Sequence, residues 1–305
     1  MKTFNINLLK NRKKIFSFSS LLVFLSLLGI LYSNFYSTFK YPINLGMDFV
    51  GGNELRIERI CDEECSYLSP DLVLQDLIKV SKNKSLFKNA KLQFQNNNRL
   101  ISIRTPYLTI DDSNALIKNI DNILGPLNFE SKNSRIIGPK LGKKLLFNCA
   151  ASLLVSLLAI SIYISIRFDK KYALFALIAL FHDLFIVFGI FSWLGVLLNV
   201  EVNSLFAVSL LTIAGYSVND TVVIFDRIRE NLRISQDGNN KIIQISVNES
   251  FRRTLFTSFT TLIPLLTLII FGSYSLFWFS VSLSLGILIG SYSSILLAPC
   301  FLIKD

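Results

Sequence analysis

SLLTIAGYSVNDTVVIFDRIREN, residues Ser209 to Asn231, begins as an apolar helix and ends as a charged one. Within the apolar part sit Asn219 and Asp220; Asp226-Arg227 and Arg229-Glu230 follow. An ionised Asp deep in a bilayer costs about 2.5 to 3.5 kcal/mol on insertion scales. Asp220 is therefore either close enough to the interface to stay wet, or held protonated or solvated. The fold turns on whether the surroundings of this stretch are membrane.

Composition says that they are. Of 305 residues, 51% are hydrophobic and 17% charged, and Phe alone supplies 26. The apolar residues come in long blocks, which marks a polytopic membrane protein rather than a soluble enzyme. The formal net charge of +10 would suggest nucleic acid in a soluble chain. Here the basic residues flank apolar blocks and set topology instead. No groove of interleaved basic and aromatic residues speaks for nucleic acid.

Upstream and downstream of the opening stretch the blocks resolve into six spans. Lys10, Arg12, Lys13 and Lys14 precede the first apolar run, Ile15 to Phe35. That run is longer than the core of a signal peptide, and no small-residue cleavage site follows. The other runs are Leu145 to Ile166, Tyr172 to Leu198, Ser204 to Phe225, Leu255 to Phe271 and Phe277 to Leu297. Each short loop rich in Lys and Arg falls on the side of the N-terminus, so both termini are expected in the cytoplasm. The expected division is a cytoplasmic N-terminus at 1–14, the first transmembrane helix at 15–39 and an exoplasmic α+β domain at 40–143. Transmembrane helices two to six follow at 144–300, with a basic cytoplasmic loop at about 226–254, then a cytoplasmic tail at 301–305.

Between Lys40 and Lys143 about 15 basic and 12 acidic residues are scattered, a balance that does not fix orientation. Asn53 to Ile60 alternates like a half-buried strand. Pro70 to Val80 places Leu72, Leu74, Leu77 and Ile78 on roughly one helix face. Lys91 to Gln95 and Leu100 to Arg104 read as strands joined by the polar run Gln95-Asn96-Asn97-Asn98-Arg99. Asp111-Asp112 open a second helix to Leu124, and Arg135-Ile136-Ile137 is a last strand. Strand, helix, two strands, helix, strand is an α+β sandwich pattern. Cys61 and Cys65 are either a disulfide, should the domain face an oxidising side, or two free thiols. Cys149 and Cys300 fall in apolar spans and read as packing residues.

His182 and Asp183 interrupt the third span. Asp183 lies about 16 Å in from Tyr172, near the bilayer middle. A carboxyl there is rare enough that function is the default reading, against an acid hydrogen-bonded incidentally to a neighbouring helix. Asp220, about 24 Å from the outer end of its span, is nearer the cytoplasmic surface. No Lys or Arg occurs between Lys171 and Arg227, so neither acid has a basic partner within its own span. His182 can relay a proton, but it reads first as a helix-packing donor. Thr254, Thr257, Ser258 and Thr261 recur at three and four residues, a face that packs a helix or lines water. Ser282, Gly286, Gly290 and Ser294 recur at four, a close-packing face. No phosphate loop, nucleophile elbow or metal-ligand cluster is present, so no cofactor, metal or enzymatic activity is expected.

Three stretches together resemble one family. They are GMDFVGG (Gly46 to Gly52), IGPKLG (Ile137 to Gly142) and GYSVNDTVVIFDRIREN (Gly215 to Asn231), the last followed by RRTLFTSFTTL (Arg252 to Leu262). They are similar to the SecF family, the smaller subunit of the SecDF protein-export accessory complex, within the resistance-nodulation-division transporter superfamily. The resemblance covers nearly the whole chain. It implies a partner of SecD and of the SecYEG channel in the bacterial inner membrane, or a thylakoid-type membrane, that uses proton-motive force in late steps of polypeptide export. It aligns His182-Asp183 with the family's embedded acid and sets Asn219-Asp220, Gly215 and Ser217 in its signature. It makes Gly46, Asp48, Gly51 and Gly52 the family motif at the entry to the exoplasmic domain. With six spans and one exterior domain, the SecD-like half is expected to be a separate protein. The rival readings are a proton-coupled transporter of small solutes and a non-transporting membrane assembly factor.

Overall fold

A computed structural model describes residues 7–37, 41–61, 65–80, 90–95, 97–106, 108, 110–234 and 238–303. Lys40, Asn96 and Lys304 lie outside these residues. Contacts divide the chain into two units, residues 46–148 and residues 1–45 with 149–305.

The smaller unit runs α2 (Met47–Val50), β1 (Gly52–Arg59), α3 (Pro70–Val80), β2 (Lys91–Gln95), β3 (Leu100–Thr105), α4 (Ile110–Leu124) and β4 (Leu127–Ile137). Its sheet is antiparallel throughout, in the order β2-β3-β1-β4, the split arrangement of ferredoxin-like folds. The period-two residues Leu55, Ile57, Ile101 and Ile103 face one way and are covered by Val73 and Leu77 of α3 and Leu116, Ile117 and Ile120 of α4. Asn97 and Asn98 turn the β2–β3 hairpin at φ 51° and 63°, values Asn tolerates better than other side chains. β4 is eight residues longer than the three-residue strand read from the sequence. Its middle, FESKNSR, is mostly exposed and carries no alternating apolar signal. Backbone pairing to the free edge of β1 makes it a strand.

On β1, Glu54 is buried and its Oε1 accepts from Arg104 Nε at 2.9 Å and from Arg56 Nη2 at 3.2 Å. Burial alone would raise the Glu54 carboxyl, but the two guanidinium groups outweigh it and hold it below its ordinary range. A depressed folded pKa stabilises above the unfolded value and is lost as pH falls through the folded one. Protection of β1 and β3 amides against hydrogen exchange should therefore be full above the ordinary carboxylate range and fall as the pH drops through that range and below it. Glu54→Gln should show about 1.5–3 kcal/mol less protection at neutral pH and a flatter acid limb. Identical pH curves for the two proteins would remove Glu54 from the account.

The larger unit holds helices α1 (Leu8–Tyr36), α5 (Pro139–Arg167, which begins in the smaller unit), α6 (Lys170–Leu198), α7 (Ser204–Ile234) and α8 (Asn239–Phe271). α9 (Tyr274–Tyr292) passes through a π-helical turn, Ser293–Leu297, into α10 (Ala298–Leu302). Among the described residues, six helices are long and apolar enough to cross a membrane, the last being Ser275–Leu302. The segment at about 226–254, read as a basic loop, is helical on both sides of residues 235–238. Ile228, Ile243 and Val247 supply the apolar stripe that lets α7 and α8 continue past the span ends. Arg227 binds Glu230 on its own helix at 2.8 Å and Glu249 across on α8 at 2.7 Å.

α6, α7 and the last span form the interior of this unit, and each buries over half of its apolar window. α1 lies along α6, where Gly29 lets the Trp193 ring approach and Trp193 Nε1 donates to the Leu25 carbonyl at 2.9 Å. The chain after α1 is tied down by Val202 N–H to Asn44 O at 2.9 Å and Ser192 Oγ to Pro42 O at 2.7 Å. α5 and the apolar half of α8 leave most of their side chains exposed. In a bilayer such faces meet lipid or another protein.

Candidate functional site

Asp183 lies at the middle of α6 with no exposure. Its Oδ2 accepts from Ser217 Oγ on α7 and Ser293 Oγ of the π turn, each at 2.6 Å, and its Oδ1 pairs with His182 Nδ1 at 3.0 Å. Two hydroxyls on one oxygen suit a carboxylate, and either can turn to accept from a carboxylic acid. The structure therefore accommodates both protonation states without moving a heavy atom. Asp183 forms no ion pair with Lys or Arg among the described residues. His182 Nε2 is buried and has no hydrogen-bond partner among them.

The helices can converge on Asp183 because their crossing points are small. A Cβ on Gly290 would lie 3.3 Å from Ser217 Cβ and 3.6 Å from Asp183 Oδ2. A Cβ on Gly286 would collide with Ile213 of α7. The small-residue face of the sixth span therefore packs against α7 of the same chain.

The π turn brings two consecutive residues inward. Ser293 meets Asp183, while Ser294 Oγ pairs with Thr221 Oγ1 at 2.8 Å and lies 3.3 Å from the Ser217 carbonyl. In an α-helix consecutive side chains diverge by about 100°; the wider π turn lets both reach the same neighbours.

Asp220 is one turn beyond Ser217 on α7 and only 3% exposed, so it is not a wet acid on the surface of this chain. Its Oδ2 has no hydrogen-bond partner among the described residues, and Arg253 of α8 acts on it electrostatically. Asn219, by contrast, is exposed, as is Gly215 four residues earlier, where a Cβ would meet nothing within 4 Å. These two share an outward face and are not brought to the acids.

The face read on α8 divides in the same way. Thr254 and Ser258 are buried, whereas Thr257 and Thr261 are exposed and donate back to the carbonyls of Thr254 and Ser258, both at 2.9 Å. Ser258 Oγ receives Tyr216 OH at 2.9 Å and pairs with Ser291 Oγ at 2.5 Å, joining α7, α8 and α9. Tyr216, Thr221, Ser291 and Ser293 escape a sequence reading that looks for charge. The polar run SYSS at 291–294 inside a span was the available signal.

In the smaller unit the two short glycine motifs meet. Gly51 and Gly52 take φ of 85° and 150°, and a Cβ on Gly51 would lie 2.9 Å from the Ile137 carbonyl oxygen. A Cβ on Gly142 would lie 2.6 Å from the Phe49 carbonyl oxygen. Gly46 caps α2, and Asp48, buried within it, lies 3.5 Å from Arg135.

Residues 117–304 match the family model described as protein export membrane protein SecD/SecF, C-terminal. The chain is 45% identical to the protein translocase subunit SecF of Prochlorococcus marinus, over 98% of this chain and 94% of that one. It is 37% identical to the SecF of a Synechocystis species over 96% of this chain and 92% of that one. The crystal structure of SecDF, a translocon-associated membrane protein from Thermus thermophilus, superposes with a TM-score of 0.78 at 27% identity. That match covers 98% of this chain and 38% of SecDF, so the chain spans well under half the length of that protein.

Proposed function

Because this chain belongs to the SecD/SecF family of protein export membrane proteins, we propose that it is the SecF-type subunit of the Sec export machinery. It works with a separate SecD-like subunit and the SecYEG channel in the lipid bilayer, and uses proton-motive force to promote late translocation of polypeptides. The observation that carries the energetic part is Asp183, a fully buried carboxyl that among the described residues pairs with His182 but with no Lys or Arg, on two hydroxyls that serve either protonation state. A SecD-like partner is supported by the likeness to SecDF and by the relatives described as SecF.

The coupling follows from what each protonation state asks of its neighbours. Ionised Asp183 holds the Ser217 and Ser293 hydroxyls pointed at Oδ2. Protonated Asp183 gives its own proton to one of them and releases the other's. Ser293 lies at the start of the π turn, a rare helical feature that occurs frequently at functional sites. Loss or gain of one proton thus changes how firmly Asp183 holds that turn, the kind of differential interaction that coupling requires. The chain from Asp183 through Ser217 and Ser294 to Thr221 includes the Ser217 carbonyl, which cannot pass a proton. It links the two acids mechanically, and protons reach them by water or by side-chain movement.

A tagged chain purified in mild detergent should bring down a SecD-like protein in near-equal amount. A chain that purifies alone and supports export alone would overturn the two-subunit reading. Topology gives a second check. Basic residues flank the N-terminus and lie in the loops after the second and fourth spans. A reporter inserted after Lys91 should be exoplasmic and one after Gly238 cytoplasmic. The opposite pattern would refute the orientation.

A further inference from the structure

Cys61 and Cys65 follow the end of β1 and are joined by a disulfide, with Cα atoms 5.4 Å apart. Cys65 is buried at 8% exposure, as is Arg59 at the end of β1. The Arg59 guanidinium is held chiefly by main-chain oxygens. Nη1 donates to Ser66 O at 3.1 Å and to Asn98 O at 3.3 Å, and Nη2 reaches Ser66 Oγ at 3.4 Å. Arg59 thus ties three pieces of chain together: β1, the residue after Cys65, and the β2–β3 turn. Its own amide donates to Arg99 O at 2.8 Å, and the Ile60 amide to Pro126 O at 2.9 Å. Burial disfavours its charge, so the cation stays ionised at little cost only while those oxygens stay in place. Ser66 belongs to no helix or strand, and the covalent bond at Cys65 is its adjacent restraint.

We infer that Cys61–Cys65 is a permanent structural disulfide, formed after the domain reaches an oxidising compartment, and that it fixes Ser66 over the Arg59 guanidinium. On formation the two thiols release two protons and two electrons. The electrons pass to a thiol oxidoreductase carrying a reactive disulfide, which leaves as a dithiol. Reducing compartments keep such pairs as thiols. The inference therefore rests on the outward placement proposed above, and it adds a covalent requirement that this placement does not contain. Cys149 and Cys300, both in the larger unit, are not disulfide-bonded and serve as internal controls.

Intact cells are quenched with acid, and the denatured full-length protein is labelled with a polymer-bearing maleimide, with and without prior reduction. Without reduction two cysteines should react, and after reduction four. Four without reduction would overturn the disulfide. The reporter after Lys91 separates the causes: four reactive thiols with an exoplasmic reporter refute this inference alone, and with a cytoplasmic reporter they refute the orientation as well. The anchoring role has its own measurement. In the purified complex, Cys61→Ala with Cys65→Ala should raise hydrogen exchange at the Arg59 and Ile60 amides, which donate to Arg99 O and Pro126 O, by at least about tenfold. Arg59→Gln should do the same in the oxidised protein. Exchange unchanged in both would show that the bond does not hold the guanidinium's partners.

Discussion

Asp183→Asn should leave the protein folded and in complex while removing the whole gradient-dependent increment of export. Export of a secreted substrate in energised vesicles should fall to the level seen with an uncoupler. Asn keeps the volume and can still accept from Ser217 and Ser293, so the hydroxyls lose no partner and the packing survives. What it loses is the proton. Asp183→Glu should keep part of the increment, because a titrating group remains but is pushed toward Gly290, where a Cβ would already sit 3.6 Å from Oδ2. Asp220→Asn is the comparison. A wet interfacial acid would tolerate it, but a carboxyl 3% exposed, one turn from Ser217 and next to Thr221, should not. A full response in Asp183→Asn together with a null response in Asp220→Asn would move the coupling carboxyl to α7. Full responses in both would move it to the partner subunit.

Much of this architecture was legible because lipid enforces it. A span needs about 20 apolar residues, and no tertiary contact can hide that requirement. The smaller unit was legible where burial imposes a period, as in α3, β2 and β3, and illegible at β4, where edge pairing alone makes the strand. The spans were read short where their helices run on into charge. Amphipathic stripes such as Ile228 with Ile243 hold α7 and α8 helical beyond the apolar windows. At the candidate site the acids stood out because charge in a span is costly. Of the hydroxyls around them, Ser217 entered through the family signature and Ser294 through the packing face, while Thr221 and Ser293 did not stand out, since Ser and Thr in a membrane helix are cheap and common. Nor did sequence spacing separate Asp220 from its neighbour Asn219, one facing in and the other out. A π turn also leaves no periodic trace, so the convergence of Ser293 and Ser294 could only be seen in three dimensions.

Gly286→Leu should prevent recovery of a properly assembled protein. The site has no room for the first carbon of a side chain, since a Cβ there already collides with Ile213, itself 1% exposed. Overpacking a filled interior costs typically about 1–3 kcal/mol, and a branched side chain facing a β-branched one sits at or beyond the upper end. Moving α9 outward to make room would also draw Gly290 and Ser293 away from α7 and Asp183, so the defect would reach the site itself. The expected result is at least a tenfold loss of monodisperse protein by size-exclusion chromatography, consistent with a cost of about 1.4 kcal/mol or more. The companion measurement is a rescue. Gly286→Ala alone should lower the unfolding midpoint, and Gly286→Ala with Ile213→Ala should recover much of the loss relative to Ile213→Ala, because the two changes share one contact. Additive losses in that cycle would mean that Gly286 and Ile213 do not meet, and that the face from Ser282 to Ser294 is turned toward a different helix.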